Sequence, residues 1–329
     1  MHPLPGLTNA DDNDFFFRIP LSDIYQGIAG ADIADYLFGI DQIAVVGISN
    51  MYVRGISTNF TSAFLSNDPD NNVVFSKTYE EFQTNLTELA IEIKEANPEG
   101  IYMITFHEDG AELITELREL GVNVPIIGID ALVSPIIFDK LQNEKYVLGL
   151  IATSIASNSS AEFNSRYRER YQSDPIPYAP NAYDATMIAG KAIIAANDTV
   201  GISVKNQIRE VGTNYQGVSG NITFDEFGDN INGEYAIYQV QNTTNALDLI
   251  RVGTWKTNHN ISIERTIIKY EPPAITVTTS MESTSPMQNS TLTQPLSTPS
   301  VQYPVSLGMG FFLAIAIIIN RKNRNRIYK

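Results

Sequence analysis

The chain has 329 residues and a mass of 36.4 kDa, enough for one large domain or two modest ones. Lys and Arg total 22 against 37 Asp and Glu, a net charge of −15, which excludes nucleic acid as a main partner. There is no cysteine and the three histidines (His2, His107, His259) are scattered, which excludes disulfides, thiolate metal sites and a Cys nucleophile.

In chain order, apolar runs recur at Gln42–Ile48, Asn72–Phe75, Gly100–Phe106, Val124–Ile129 and Tyr146–Ala152. They are continuous rather than alternating, as parallel strands buried on both faces require. Between them lie amphipathic helices. Thr78-x-x-Glu81 reads as a capping box, followed by a stripe of Phe82, Leu86, Leu89, Ala90 and Ile93 and a stop at Asn97-Pro98. Asp109 reads as the cap of the next helix, with Leu113, Ile114, Leu117 and Leu120 inward and Gly121 as its end. Residues 160–211 change character and predict helices over Ala161–Gln172, Ala179–Ala196 and Val204–Val211. Strand chemistry returns over 218–252, with residues 234–241 and 246–253 expected as an antiparallel pair. The fold class is therefore α/β, a doubly wound sheet that the chain leaves for a helical segment and re-enters.

The tail is read from composition. Thirteen of the 25 residues in Thr276–Ser300 are Ser or Thr and three are Pro, a stalk rather than a packed element. Residues 303–319 carry no charge and are followed by Asn320 and five Lys/Arg in 321–329. This predicts a membrane span at 303–320 with a basic cytoplasmic tail and the body outside. Eight N-x-S/T sequons, at Asn59, Asn85, Asn158, Asn197, Asn221, Asn242, Asn260 and Asn289, all precede the span and fit a glycosylated exterior. Yet MHPLPGLTNADDND at the start has neither the basic nor the apolar region of an export signal. Either the orientation is inverted or the true N-terminus is missing.

No phosphate-binding glycine loop, nucleophile elbow or His-Glu-x-x-His pattern is present. Asp68-Pro69-Asp70-Asn71-Asn72 opens like a calcium loop but has Val73 and Tyr79 where Gly and Glu are required, so it reads as a solvated turn. What remains is chemistry at strand ends, where open α/β sheets bind ligands. Tyr52 follows the first strand, Phe106 and His107 the third, and Asp130 the fourth. A carboxylate there can hold an ammonium or amide N–H, and aromatic rings can wall an apolar side chain. Equally, Asp130 can cap the helix expected near Pro135.

From Pro5 to about Gln241 the chain resembles the type I periplasmic binding proteins of ABC importers, the branched-chain amino acid group. The resemblance rests on PGLT (5–8), FFFRIPLSDIYQG (15–27), IAVVGISNMYVRGIS, ANPEGIYM, ELGVNVPIIGIDAL, PYAPNAYDATMIAGKAI (177–193) and GVSGNITFDEFGDNINGEYAIYQV, in order and spacing. It implies that Asp130 holds a ligand ammonium, that Tyr52 and Phe106 line the ligand, and that Tyr183 in NAYDA lies near the cleft. Phe106 stands where Tyr is common, and it can stack but cannot donate. It also implies that several βα units of the first lobe are absent, with the signal peptide and the groups for a ligand carboxylate. The expected organisation is a binding region over 1–270 (one complete lobe at 22–150 and 218–255, a partial lobe at 156–211), a stalk at 271–302, the span and the tail.

The reading is an exported solute-binding protein, not an enzyme, with no cofactor. It would capture a neutral amino acid or small amide by hinge closure and pass it to an ABC permease. A C-terminal span in place of a lipid anchor suits an archaeal cell. The rivals are a sensing ectodomain of the same fold and a truncated remnant that binds nothing.

Overall fold

The computed structural model describes Thr8 and residues 13–81, 85–141, 143–156, 159–176, 178–244 and 246–270. The stalk, the expected span, the basic tail and Phe82 lie outside the described residues. Among the described residues no single helix is long and apolar enough to cross a membrane.

Eight strands form one mixed sheet. Its parallel part comprises β1 (Gln42–Ile48), β2 (Asn72–Tyr79), β3 (Gly100–Ile104), β4 (Ile126–Gly128) and β5 (Ile151–Ile155), in the order β5-β4-β3-β1-β2. Beyond β5 the sheet continues antiparallel through β8 (Glu234–Asn242), β9 (Leu247–Lys256) and β10 (Asn260–Ile263). A separate hairpin pairs β6 (Tyr215–Gly217) with β7 (Gly220–Ile222). The central strands β1, β3 and β4 are buried on both faces because α1 (Asp23–Asp32), α2 (Met51–Asn67), α3 (Thr87–Ala96) and α4 (His107–Glu119) cover them, whereas the edge strand β2 is buried only at Tyr79, and a short α5 (Ile136–Lys140) packs on α4. Gly27 and Gly30 let α1 sit close. A Cβ at Gly27 would meet the Ile56 carbonyl at 2.5 Å, and one at Gly30 would meet the Tyr102 ring at 2.5 Å. That ring in turn stacks on Phe60 at 3.9 Å.

The second body is small. It consists of α6 (Ala161–Tyr171), α7 (Ala179–Ala196), α8 (Gly201–Val211) and the β6–β7 hairpin. Its buried apolar cluster is Ile19, Ile188, Ile222 and Phe224. Asp184 of α7 organises it by accepting from the backbone N–H groups of Val218 (2.9 Å) and Ser219 (2.7 Å) and from the Ser219 hydroxyl (2.6 Å).

Several boundaries differ from expectation. Thr78 does not cap a helix: β2 runs on to Tyr79, which pairs with Ile48 and is buried with its hydroxyl 2.6 Å from Thr105 Oγ1. The ladder outcompetes the cap, and α3 starts at Thr87. Asp109 lies inside the first turn of α4, two residues past the start at His107, where its charge still complements the helix dipole. Gly149 at φ +80° turns the chain ahead of the last parallel strand, so residues 144–147 form a 3-10 turn and the strand begins at Ile151. The strand expected to stop at Phe106 stops at Ile104. The helix α7, the antiparallel pair β8–β9 and the stop at Asn97, which adopts φ +49°, are as read.

Candidate functional site: a tyrosine-walled pair of carboxylates

The carboxyl ends of β1, β3 and β4 form one rim, and Asp130 follows β4 directly. It heads a 3-10 turn (Asp130–Leu132) and does not cap α5, whose N-cap is Pro135. Its Oδ1 accepts from the Tyr52 hydroxyl at 3.0 Å and from Gln26 Nε2 at 3.3 Å. Burial raises its pKa, opposed by Tyr52, Gln26 and the N–H groups of Ala131 and of Asp130 itself.

A second buried carboxylate feels the charge of the first. Asp23 opens α1, is 2% exposed, and its Oδ2 has no hydrogen-bond partner among the described residues. Desolvation, reinforced by the charge of Asp130 and opposed by Arg18, pushes its pKa up to about 8. Arg18 is itself committed elsewhere. It is buried and grips Asp229 through Nε at 2.5 Å and Nη2 at 2.6 Å.

Phenols complete the wall. Burial raises the pKa values of Tyr52, Tyr178, Tyr102 and Tyr235, and the charges of Asp130 and Asp23 raise each further. All four therefore remain protonated donors. Tyr178 is the residue at the N-cap of α7, so the small body contributes to the rim of the large one. Gln26 is the internal tie. Its Nε2 also reaches the Thr153 carbonyl at 3.3 Å, and its Oε1 accepts from Tyr52 at 3.3 Å.

Of the expected residues, Tyr52 and Asp130 are brought into direct contact. Phe106 is half-buried at the end of β3, at the start of α4, and packs against the main core. Tyr183 stands on the exposed side of α7 with its ring against Phe163 at 5.5 Å. His107 pairs with its neighbour Glu108 at 2.8 Å. Asp23 and Gln26 escaped the reading of strand ends because they lie on a helix. Their signal was the i, i+3 spacing inside SDIYQG, which puts both on one face of α1.

Chemically, the arrangement offers acceptors, two of them carboxylates in a poorly solvated place, and neutral donors around them. Such a site favours a cation, which relieves both the desolvation and the mutual repulsion of the two acids. Among the described residues no group of three or more His, Cys, Asp or Glu is placed to hold a metal ion.

Residues 4–243 match the profile of the receptor family ligand binding region. The chain belongs to this family. Solved structures of similar fold include a leucine-binding protein from Thermotoga maritima (24% identity, 76% of this chain and 70% of that one, TM-score 0.63). Another is a branched-chain amino acid transporter substrate-binding protein from Streptococcus pneumoniae in complex with isoleucine (17% identity, 75% and 70%, TM-score 0.57). A third, a solute-binding protein of an ABC transporter from R. palustris, is in complex with benzoate (13% identity, 71% and 64%, TM-score 0.55). No curated protein matches the chain in sequence. The family's ligand-binding fold is thus shared with type I periplasmic binding proteins, and this chain spans about two thirds of the length of those neighbours.

Proposed function

We propose that the chain is a solute-binding protein that captures a small molecule through an ammonium or amide N–H. Asp130 and Asp23 would take the positive end, the Tyr52 hydroxyl and Gln26 would orient Asp130, and Phe106 at the same rim would face the apolar part. The observation that carries this reading is the buried Asp23, which feels the charge of Asp130 and has an oxygen with no hydrogen-bond partner among the described residues. A benzoate-type anion would meet two carboxylates and is disfavoured here. Neutral amino acids, their amides and simple amines fit the site. Delivery to an ABC permease, and tethering outside the membrane through 303–320, follow from the resemblance and the tail's composition.

Calorimetry with leucine, isoleucine, valine, their amides and the matching amines tests the reading. Heat that saturates with at least one of them, and that Asp130→Ala abolishes, is expected. Equal binding by wild type and Asp130→Ala would sink it. A second reading has its own observation. Since about a third of the neighbours' length has no counterpart here, some ligand contacts can be lacking, and binding by amines but not by amino acids would indicate that the carboxylate clamp is what is absent.

A further inference from the structure

Two helices end together at the amino end of the large sheet. The helix α1 runs on into a π turn (Ile33–Leu37) shortly before β1, and α2 ends at Asn67 shortly before β2. The two ends are joined. Asn67 Nδ2 donates to Asp32 Oδ1 at 3.1 Å, and the Asn72 N–H donates to the Asp41 carbonyl at 2.7 Å. A helix C-terminus carries partial negative charge, which a Lys or Arg in the last turn offsets. Neither end has a basic residue there. The corner instead gathers Asp32, Asp35, Asp41 and Asp68. Only Asp32 is provided for within the chain. It is buried, and its Oδ2 accepts from Trp255 Nε1 at 2.6 Å and faces His259 Nδ1 at 3.0 Å. Among the described residues no ion pair involves Asp35, Asp41 or Asp68.

Two oxygens at this corner lack a partner. Asn71 is 6% exposed, and its Nδ2 donates to the Phe64 carbonyl at 2.8 Å, which fixes the amide. Its Oδ1 is shielded from water and has no hydrogen-bond partner among the described residues, and Asp35 Oδ2 is in the same condition. The two side chains meet, since the Asn71 amide hydrogen-bonds the Asp35 carboxylate. That bond opposes a rise in the Asp35 pKa caused first by burial and then by the charge of Asp68, with Asp32 and Asp41 adding to it. Asp68 is the C-cap of α2. Its Oδ1 accepts the Asp70 N–H at 2.9 Å, and its carbonyl accepts the Asn71 N–H at 3.2 Å, which holds Asp68 and Asn71 on one turn. Shielded acceptors without donors, at paired helix ends crowded with acids, call for a cation. Every group on offer is an oxygen, from a carboxylate or an amide, in an irregular setting that suits calcium better than magnesium. The 68–72 turn thus lacks the later glutamate of a calcium loop, and an acid from the end of α1 stands in its place.

We propose that the carboxylates of Asp35 and Asp68 and the amide oxygen of Asn71 form a calcium site that clamps the end of α1 to the end of α2. Orphan carbonyls of the two helix ends and water complete the coordination. With two acids and an amide, the set is weaker than one of three acids, and an affinity of about 0.1–1 mM is expected. The site lies at the other end of β1 from Tyr52, and it does not depend on the amine reading of the rim.

Full-length chain, stripped with EDTA and titrated with calcium chloride by calorimetry, tests the site. One ion per chain is expected to bind, and Asp35→Asn and Asp68→Asn should each weaken it by roughly tenfold or more. Thermal melts separate binding from folding. In EDTA, Asp35→Asn should melt at or above wild type, because it relieves repulsion. In about 10 mM calcium the order should reverse, since only wild type gains from the ion. Should Asp35→Asn perturb folding, Asp68→Asn carries the same comparison. Asp130→Asn, at the rim, should keep the calcium affinity of wild type. The inference is overturned if no saturable heat appears up to about 10 mM calcium, in which case a proton on Asp35 serves the two oxygens. It is equally overturned if both corner variants bind calcium as wild type does, if Asp130→Asn abolishes binding, or if magnesium binds as tightly as calcium.

Discussion

The hydroxyl of Tyr52, in the first turn of α2, donates to Asp130 at 3.0 Å across 78 residues of chain, and thereby joins the ends of β1 and β4. The bond keeps Asp130 an acceptor facing the rim rather than a cap folded onto α5. Tyr52→Phe should keep the fold and the ring while releasing Asp130. Loss of a hydrogen bond to a charged group corresponds to roughly 10- to 100-fold weaker binding of an amine. Asp130→Asn should lose more than Tyr52→Phe, because it removes the charge as well. Calorimetry on the three proteins at pH 8 checks the order.

Asp23 makes stability and binding depend on pH in opposite directions. Its pKa is about 8 in the folded chain against an ordinary 3.8, so folding favours its protonated form. The stability this contributes is complete below pH 4 and is lost as pH rises to about 8. Without ligand, wild type should therefore lose stability over that window relative to Asp23→Asn, by roughly a few kcal/mol. A bound ammonium reverses the preference, since it favours the ionised acid. Amine affinity should rise from pH 6 to 8 in wild type and rise less in Asp23→Asn. Denaturant melts and titrations at pH 5, 6, 7 and 8 measure both.

How much of this was legible depends on the kind of signal. The continuous apolar runs of β1, β3 and β4 need no partner to be recognised, and the ends of α7 are written in Pro180 and Asn197. Thr78 to Glu81 satisfied a local helix rule and lost to a non-local one, the pairing of Tyr79 with Ile48. Asp130 and Tyr52 were singled out because strand ends are where such sheets bind. Asp23 was not, because an acid after Ser22 reads as ordinary first-turn chemistry. Its burial in the folded chain, reinforced by the charge of Asp130 from beyond β4, makes it a desolvated acid.

The buried pair Arg18–Asp229 ties the segment before α1 to the turn ahead of β8. Arg18→Met alone leaves Asp229 charged and stripped of its main partner, and should cost about 3–5 kcal/mol. Arg18→Met with Asp229→Leu removes both charges and should recover part of that loss. A double-mutant cycle from urea melts reads the coupling. Equal losses in the single and double variants would show that packing, not the ion pair, holds this junction.

Asp184 answers whether the small body folds with the large one. Its carboxylate accepts three hydrogen bonds from Val218 and Ser219, and a Cβ at Gly217 would meet its Oδ2 at 2.3 Å. The turn between β6 and β7 is thus built around this side chain. Asp184→Ala leaves the two N–H groups without their acceptor and should cost about 2–4 kcal/mol. Asp184→Asn keeps one acceptor oxygen and should cost less. The melts decide how the cost is felt. Since Tyr178 at the start of the same helix feels the charges of Asp130 and Asp23, a loosened α7 should also raise the amine dissociation constant. A lowered midpoint in a single transition, with weaker amine binding, means that the hairpin, α7 and the sheet rim form one cooperative unit. Two separated transitions with binding unchanged mean that the ligand rim stands on the large sheet alone.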